Sequence, residues 1–244
     1  MHVIIPAAGY ATRLYPLTKD KPKALLDVKG KPILEHIVNR ICELPDIEKI
    51  SIVSNDKYFN NFKEWASRFS GSVPINVLND GTTSNDDRKG QVGDILFTIE
   101  QEEVDSDLLV VAGDNIFNFS LKPAYNFFRE KNVVVNAFWD SKSIETAKQQ
   151  GSGVVDENNR ITEFLEKSPN PKTTFISLGI YFLPKEQVSL FKRFVEEGND
   201  PDKMGYFMIW LIENSSPHGF VYEEKWFDIG WHSALEKARK EFVP

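Results

Sequence analysis

The sequence predicts an α/β fold, with a mostly parallel sheet and helices on its faces, and three observations carry the prediction. Short apolar runs rich in β-branched residues alternate with segments of helical periodicity. The polar and glycine-bearing segments follow those runs, where the carboxyl ends of parallel strands collect ligands. A chain of 244 residues with 41% hydrophobic content is long and apolar enough for one domain with a substantial core.

The elements follow in order. His2 to Ile5 is an apolar strand that runs into a loop of small residues. Pro32 to Leu44 reads as a helix because Leu34, Ile37, Ile41 and Leu44 form one stripe, and the single cysteine, Cys42, lies beside it as a buried structural thiol. KISIVS (49–54), INVL (75–78), DLLVVA (107–112) and NVVVNAFW (132–139) read as further strands. The helical patterns Lys57 to Phe69, Gln91 to Gln101 and Leu121 to Lys131 separate them. GVVDENNRITEFLE (153–166) then reads as two short strands around a polar turn, and FISLGIYFL (175–183) as one more strand. Helical patterns at Lys185 to Glu197, Tyr206 to Asn214 and His232 to Phe242 complete the chain.

The segment PAAGYATRLYPLTKDKPKALL, residues 6–26, follows the first strand and carries Arg13 and Lys23. Two fixed cations beside a small-residue loop suggest a polyphosphate site. No G-K-[ST] follows as in a P-loop, and no third glycine completes a dinucleotide-binding G-x-G-x-x-G.

This segment resembles the opening of the sugar-1-phosphate nucleotidyltransferases, roughly L-A-G-G-x-G-T-R-L-x-P-L-T followed by P-K-x-L and K-P. Thr12, Arg13, Leu14, Pro16, Leu17, Thr18, Pro22, Lys23, Leu25, Lys31 and Pro32 match it. Pro6, Ala8 and Ala11 depart from it; the last stands where the family has glycine, so either this loop keeps negative φ at Ala11 or its grip on the nucleotide is altered. The resemblance implies a Rossmann-like three-layer nucleotidyltransferase fold with a mostly parallel mixed sheet and an inserted sugar-binding β lobe. It implies one domain over 1–244, with a nucleotide-binding core over about 1–140, a sugar-binding part over about 141–230 and a C-terminal helix over 231–244, and no room for the β-helix domain of some family members.

The same resemblance assigns residues. Asp114, emerging from VVAGDN, and Asp228, in WFDIGW, are implied as the ligands of Mg²⁺, a hard cation that commonly keeps only one or two carboxylates beside phosphates and waters. Ala8, Gly9, Thr12 and Arg13, with Gly90 and Gly93 of the GQVG strip, are implied in nucleotide binding, and Gln91 and Asp94 lie in the same strip. Gly153, Glu166 and Lys167 of FLEKSP, and Gly179 and Tyr181 of SLGIYF, are implied in binding the sugar phosphate. Ser168 is inserted into the family's E-K-P, Ser177 replaces its usual asparagine, and Trp231 replaces a small polar residue. Arg13, Lys23, Asp114 and Asp228 are the implied catalytic set. The implied reaction is attack by a phosphate oxygen of a sugar 1-phosphate on the α-phosphorus of a nucleoside triphosphate, releasing pyrophosphate.

Composition bounds the alternatives. Net charge is −7, which argues against nucleic-acid partners. No apolar stretch approaches the roughly 18 residues of a membrane span and no signal-peptide pattern opens the chain, so a cytoplasmic protein without a membrane partner is expected. The four histidines, His2, His36, His218 and His232, lack metal-ligand spacing. Two other readings stand beside the first: a cytidylyltransferase acting on a non-sugar phosphate, and a non-catalytic nucleotide-sugar-binding regulatory protein. Base, sugar and homo-oligomer formation stay open at this stage.

Overall fold

The apolar runs are continuous because the central sheet is buried on both faces. In β1 (His2–Pro6), Val3 and Ile5 enter one core cluster of 41 buried residues while Ile4 enters a second cluster of 19, as the alternation of a strand requires. A computed structural model describes residues 1–244.

A small ribbon, β2 (Asp27–Val28) with β3 (Lys31–Pro32), precedes helix α1 (Ile33–Ile41). There follow β4 (Lys49–Ser54), α2 (Phe59–Arg68), β5 (Ile75–Asn79), α3 (Gln91–Gln101) and β6 (Leu108–Val111). β1 lies between β4 and β6 and is parallel to both, and β5 adds parallel to β4. The expected alternation of strands and helices is therefore present, with α1 shortened at both ends, because Pro32 stays in the ribbon and because Glu43 and Leu44 N–H turn back three residues to the Arg40 and Ile41 carbonyls.

The second half enlarges the same sheet. β7 (Asn115–Phe117), α4 (Lys122–Lys131) and β8 (Val135–Asp140) are followed by a single turn, α5 (Ile144–Ala147), and by β9 (Gly151–Val155), β10 (Ile161–Glu166) and β11 (Phe175–Leu183). α6 (Leu190–Glu196), α7 (Met204–Asn214), β12 (His218–Tyr222), β13 (Trp226–Asp228) and α8 (His232–Glu241) close the chain. β11 runs antiparallel to β6, so the sheet is mixed; β9 and β10 continue it past β11, and β8 and β12 branch from β11 to give nine strands. The strands expected to form a sugar-binding lobe are thus hydrogen-bonded into the main sheet. No helix is long and apolar enough to cross a membrane.

The helix expected across Lys185 to Glu197 is broken. Val188 N–H bonds to the Lys185 carbonyl and Phe191 N–H to that of Val188, the i to i−3 spacing of a tighter turn, and regular α-helix starts only at Leu190. β7 and β13 fall in segments read as a turn and a motif. They pair antiparallel as a separate two-stranded ribbon, Asp228 opposite Asn115, and this pairing brings the two ends of the chain's chemistry together.

Candidate active site

The loop after β1 is held by its own hydrogen bonds and by two residues from the next strand and helix. Ala11 adopts the left-handed conformation, φ 48° and ψ 42°, which excludes the first of the two alternatives, a loop with negative φ at this position. An alanine in that region costs roughly 1–2 kcal/mol. Bonds to the Ala11 carbonyl from Leu14 N–H at 3.0 Å and from the fully buried Thr18 hydroxyl at 2.7 Å hold the turn in place. Asn55, just past β4, donates to the Ala8 carbonyl at 2.6 Å, and the Tyr58 hydroxyl donates to the Thr18 carbonyl at 2.5 Å. Asn55 and Tyr58 escaped the sequence reading; the position of Asn55 after a strand was the only signal. Replacing Ala11 by glycine is expected to raise the melting temperature by about 1–2 °C, the strain relieved slightly exceeding the added freedom of the unfolded chain. Ala11→Val, β-branched at positive φ, is expected to lower it by several degrees in the same thermal melts.

Arg13 leaves this loop with its guanidinium 4.9 Å from the centre of the Trp231 ring, a cation–π contact. The tryptophan that departs from the family pattern is thus a platform for the arginine, 57% exposed at the start of α8. The neighbouring His232 donates from Nε2 to the Tyr15 carbonyl at 3.0 Å, clasping the loop to α8 from the other side.

Lys23 Nζ is 2.8 Å from Asp114 Oδ2. Asp114 sits between β6 and β7, and the β7–β13 pairing, closed by Ile229 N–H to the Asp114 carbonyl at 3.1 Å, sets Asp228 beside it. Burial, and then the negative charge of Asp114, push the Asp228 carboxyl above its ordinary range, while Lys23, Lys167 and a hydrogen bond from Gln150 Nε2 at 2.9 Å oppose the shift. Two carboxylates forced together in this way suit a divalent cation that would take its other ligands from outside the protein, since no group of three or more His, Cys, Asp or Glu gathers anywhere in the chain.

Two connected cavities meet at this point. The larger, about 550 Å³, is lined by Thr12, Arg13, Lys23, Asp114 and Asp228 on one side and by Glu166, Lys167, Gly179 and Tyr181 on the other. The smaller, about 260 Å³, is lined by Ala8, Gly9, Gly90 and Asp94, and shares Lys23 and Asp114 with the first. Gly90 needs to be glycine: its φ is +80°, and a Cβ would lie 2.5 Å from the Asp202 Cα.

Two expected contacts are placed elsewhere. Gly93 lines neither cavity, because the helical turn points it at Lys89 and Pro201; Gln91 and Asp94 face the space instead. Gly153 is packed against the Phe138 ring, 2.5 Å from where its Cβ would stand, and Gly151, one strand repeat earlier, is the residue at the wall. Ser177 accepts from Asn136 Nδ2 at 3.0 Å and lies 3.0 Å from the Tyr181 hydroxyl, whose ionisation burial pushes up to about 12. At Gly179, φ is +69° and a Cβ would meet that of Ala112 at 2.7 Å, so this turn of β11 against β6 also requires glycine. Arg88, Gln150 and Lys203 also line the larger cavity and had no motif to announce them. Lys203 Nζ is 3.7 Å from Glu166 Oε1, and a Cβ on Gly205 would collide with that carboxylate.

The family model described as nucleotidyl transferase matches residues 2–243. A UTP–glucose-1-phosphate uridylyltransferase of Haloferax volcanii is 32% identical over 181 residues, covering 74% of this chain and 71% of that protein. The bifunctional protein GlmU of Methanocaldococcus jannaschii is 30% identical over 234 residues, 94% of this chain, which spans only 51% of that longer protein. A crystal structure of UDP-glucose pyrophosphorylase complexed with UDP-glucose superposes with a TM-score of 0.81 at 19% identity, over 98% of this chain and 96% of the other, and shares the fold.

Proposed function

The chain belongs to the nucleotidyl transferase family, and from that premise we propose that it joins a nucleoside triphosphate to a sugar 1-phosphate, forming a nucleotide sugar and pyrophosphate. The observation that carries the reading is that two cavities share Lys23 and Asp114, the smaller lined also by Ala8 and Gly90 and the larger by Arg13, Asp228, Glu166, Lys167 and Tyr181.

A phosphate monoester with a second pKa near ~6 is already mostly dianionic at neutral pH, so its oxygen needs no general base to attack. The task left to the protein is to hold two polyanions in line and to stabilise the charge that moves onto the leaving pyrophosphate. Arg13, held on Trp231 and engaged in no ion pair, faces the triphosphate and the pyrophosphate; Lys23 and Lys167 stand on either side of the reacting phosphorus. Asp114 and Asp228 would hold a divalent cation, Mg²⁺ in the expected case, which supplies charge neutralisation between the two phosphates. Glu166 and Gln150 give the larger cavity the acceptors and donors that sugar hydroxyls require, and Tyr181 completes its wall.

Four nucleoside triphosphates crossed with a panel of sugar 1-phosphates, scored by pyrophosphate release, test the proposal; no release from any pair would reject it. Lys167 is the residue that separates the two substrates. Lys167→Ala is expected to raise KM for the sugar phosphate about tenfold or more while changing KM for the triphosphate little, since a lost uniform contact appears in KM. Steady-state kinetics with each substrate varied in turn would show the reverse pattern if the cavities were assigned wrongly.

A further inference from the structure

The floor of the smaller cavity holds a pair of acids that the chemistry above does not use. Asp80, just past β5, and Asp94, in the first turn of α3, are 6% and 7% exposed. Asp80 Oδ1 accepts from the N–H and the hydroxyl of Thr82, both at 2.7 Å. Asp80 Oδ2 and Asp94 Oδ1 are enclosed and neither has a hydrogen-bond donor; Asp80 lies close enough to Asp94 for its charge to act on that carboxyl group, so one proton held between the two acids would partner both oxygens. Two adjacent carboxyl groups away from water cannot both ionise, so the pair holds one proton. Asp80 Oδ1 already accepts two donors, and Asp94 is the acid that carries the proton, pushed up to about 8 by burial first and by the charge of Asp80 second, with Lys89 opposing. Tyr10, the neighbouring hydroxyl from the loop after β1, is also pushed up by burial and stays neutral; Lys23, Arg88, Asp114 and Asp202 are the other charged groups on the cavity wall.

The hydrogen-bond pattern then leaves one atom for a ligand. A proton on Asp94 Oδ1, donated to Asp80 Oδ2, pairs the two orphaned oxygens, and the oxygen left to Asp94 at the cavity it lines is then Oδ2, a neutral carbonyl oxygen that accepts only. Resting on the reading of this chain as a nucleotidyl transferase, we propose that Asp94, set by Asp80, reads the nucleobase by accepting a hydrogen bond from a ring N–H. Uracil and thymine carry that hydrogen on N3 and guanine on N1, whereas cytosine and adenine present a lone pair at the equivalent atom. A lone pair against a buried carbonyl leaves both unsatisfied, a penalty that corresponds to roughly tenfold or more in affinity.

Calorimetric titration of UTP, dTTP, GTP, CTP and ATP into the wild type, Asp94→Asn and Asp94→Leu, near pH 6.5 and near pH 8.8, tests this, with pyrophosphate release followed on the same preparations. The tightest ligand of the wild type is expected among UTP, dTTP and GTP, at least about tenfold above CTP and ATP. Asparagine reproduces the neutral pair, its amide donating to Asp80 and its oxygen facing the base, so that variant is expected to keep the preference at both pH values. The wild type is expected to lose about threefold or more in affinity near pH 8.8, once Asp94 ionises beside Asp80 and the floor carries two charges. Asp94→Leu is expected to flatten the preference. CTP or ATP as the tightest ligand, a preference surviving in the leucine variant, or an asparagine variant with the wild type's pH dependence would each overturn the proposal. If the leucine variant fails to fold, the asparagine comparison decides alone. Base-selective binding without pyrophosphate release would reject the transfer reaction while upholding the role of Asp94.

Discussion

Asp228→Asn is expected to lower turnover by at least about 1,000-fold, close to 4 kcal/mol of transition-state stabilisation, without destabilising the fold. Asp228 is 2.9 Å from the Gln150 amide and is repelled by Asp114, and burial already penalises its charge. A neutral amide of the same shape keeps an oxygen for Gln150 and removes the repulsion, so the melting temperature should hold or rise. Asp114→Asn should cost turnover equally but behave differently in stability. It takes the partner from Lys23, whose side chain is only 18% exposed, and a small loss is expected there. Pyrophosphate release across a titration of Mg²⁺, together with thermal melts, checks both variants. Near-normal activity in either would remove that carboxylate from the centre.

Arg13→Ala is expected to reduce kcat/KM by at least about 100-fold, the value of roughly 3 kcal/mol for a cation facing charge that develops on phosphate. The side chain forms no ion pair within the protein, and its one recorded partner is the face of Trp231 at 4.9 Å. That contact orients the guanidinium without neutralising it. Trp231→Ala should therefore reproduce part of the loss, about tenfold, while leaving the arginine in place. Initial rates for the three proteins under saturating sugar phosphate decide the matter; an unchanged kcat/KM for Arg13→Ala would make it an ordinary surface cation.

The corrected positions show how far local pattern reaches. Alternation of apolar runs and helical stripes located β1, β4, β5, β6, β11 and α1 to α4 to within a few residues, because each must bury a face whose period is set by its own backbone. The short pair β7 and β13 was invisible, since three residues carry too little periodicity to read, yet their pairing is what sets Asp228 beside Asp114 across 114 positions of sequence. Gly93 is turned toward Lys89 and Pro201, and Gly153 is covered by the Phe138 ring although Gly151, on the same face of that strand, reaches the cavity, because the neighbours that pack over an element decide which of its residues stay open.

The sequence by itself determined the class of fold, and marked as candidates the small-residue loop with Arg13 and Lys23 and the two aspartates, since strand and helix periods and a fixed string of residue types are properties of contiguous chain. Tertiary structure alone decided the rest: the left-handed turn held at Ala11 by Thr18, Trp231 under Arg13, Lys23 on Asp114, and Asp80 against Asp94. Each joins atoms whose energies depend on distance and on the exclusion of water, and those quantities exist only once the nine-stranded sheet has folded and brought its loops to one rim.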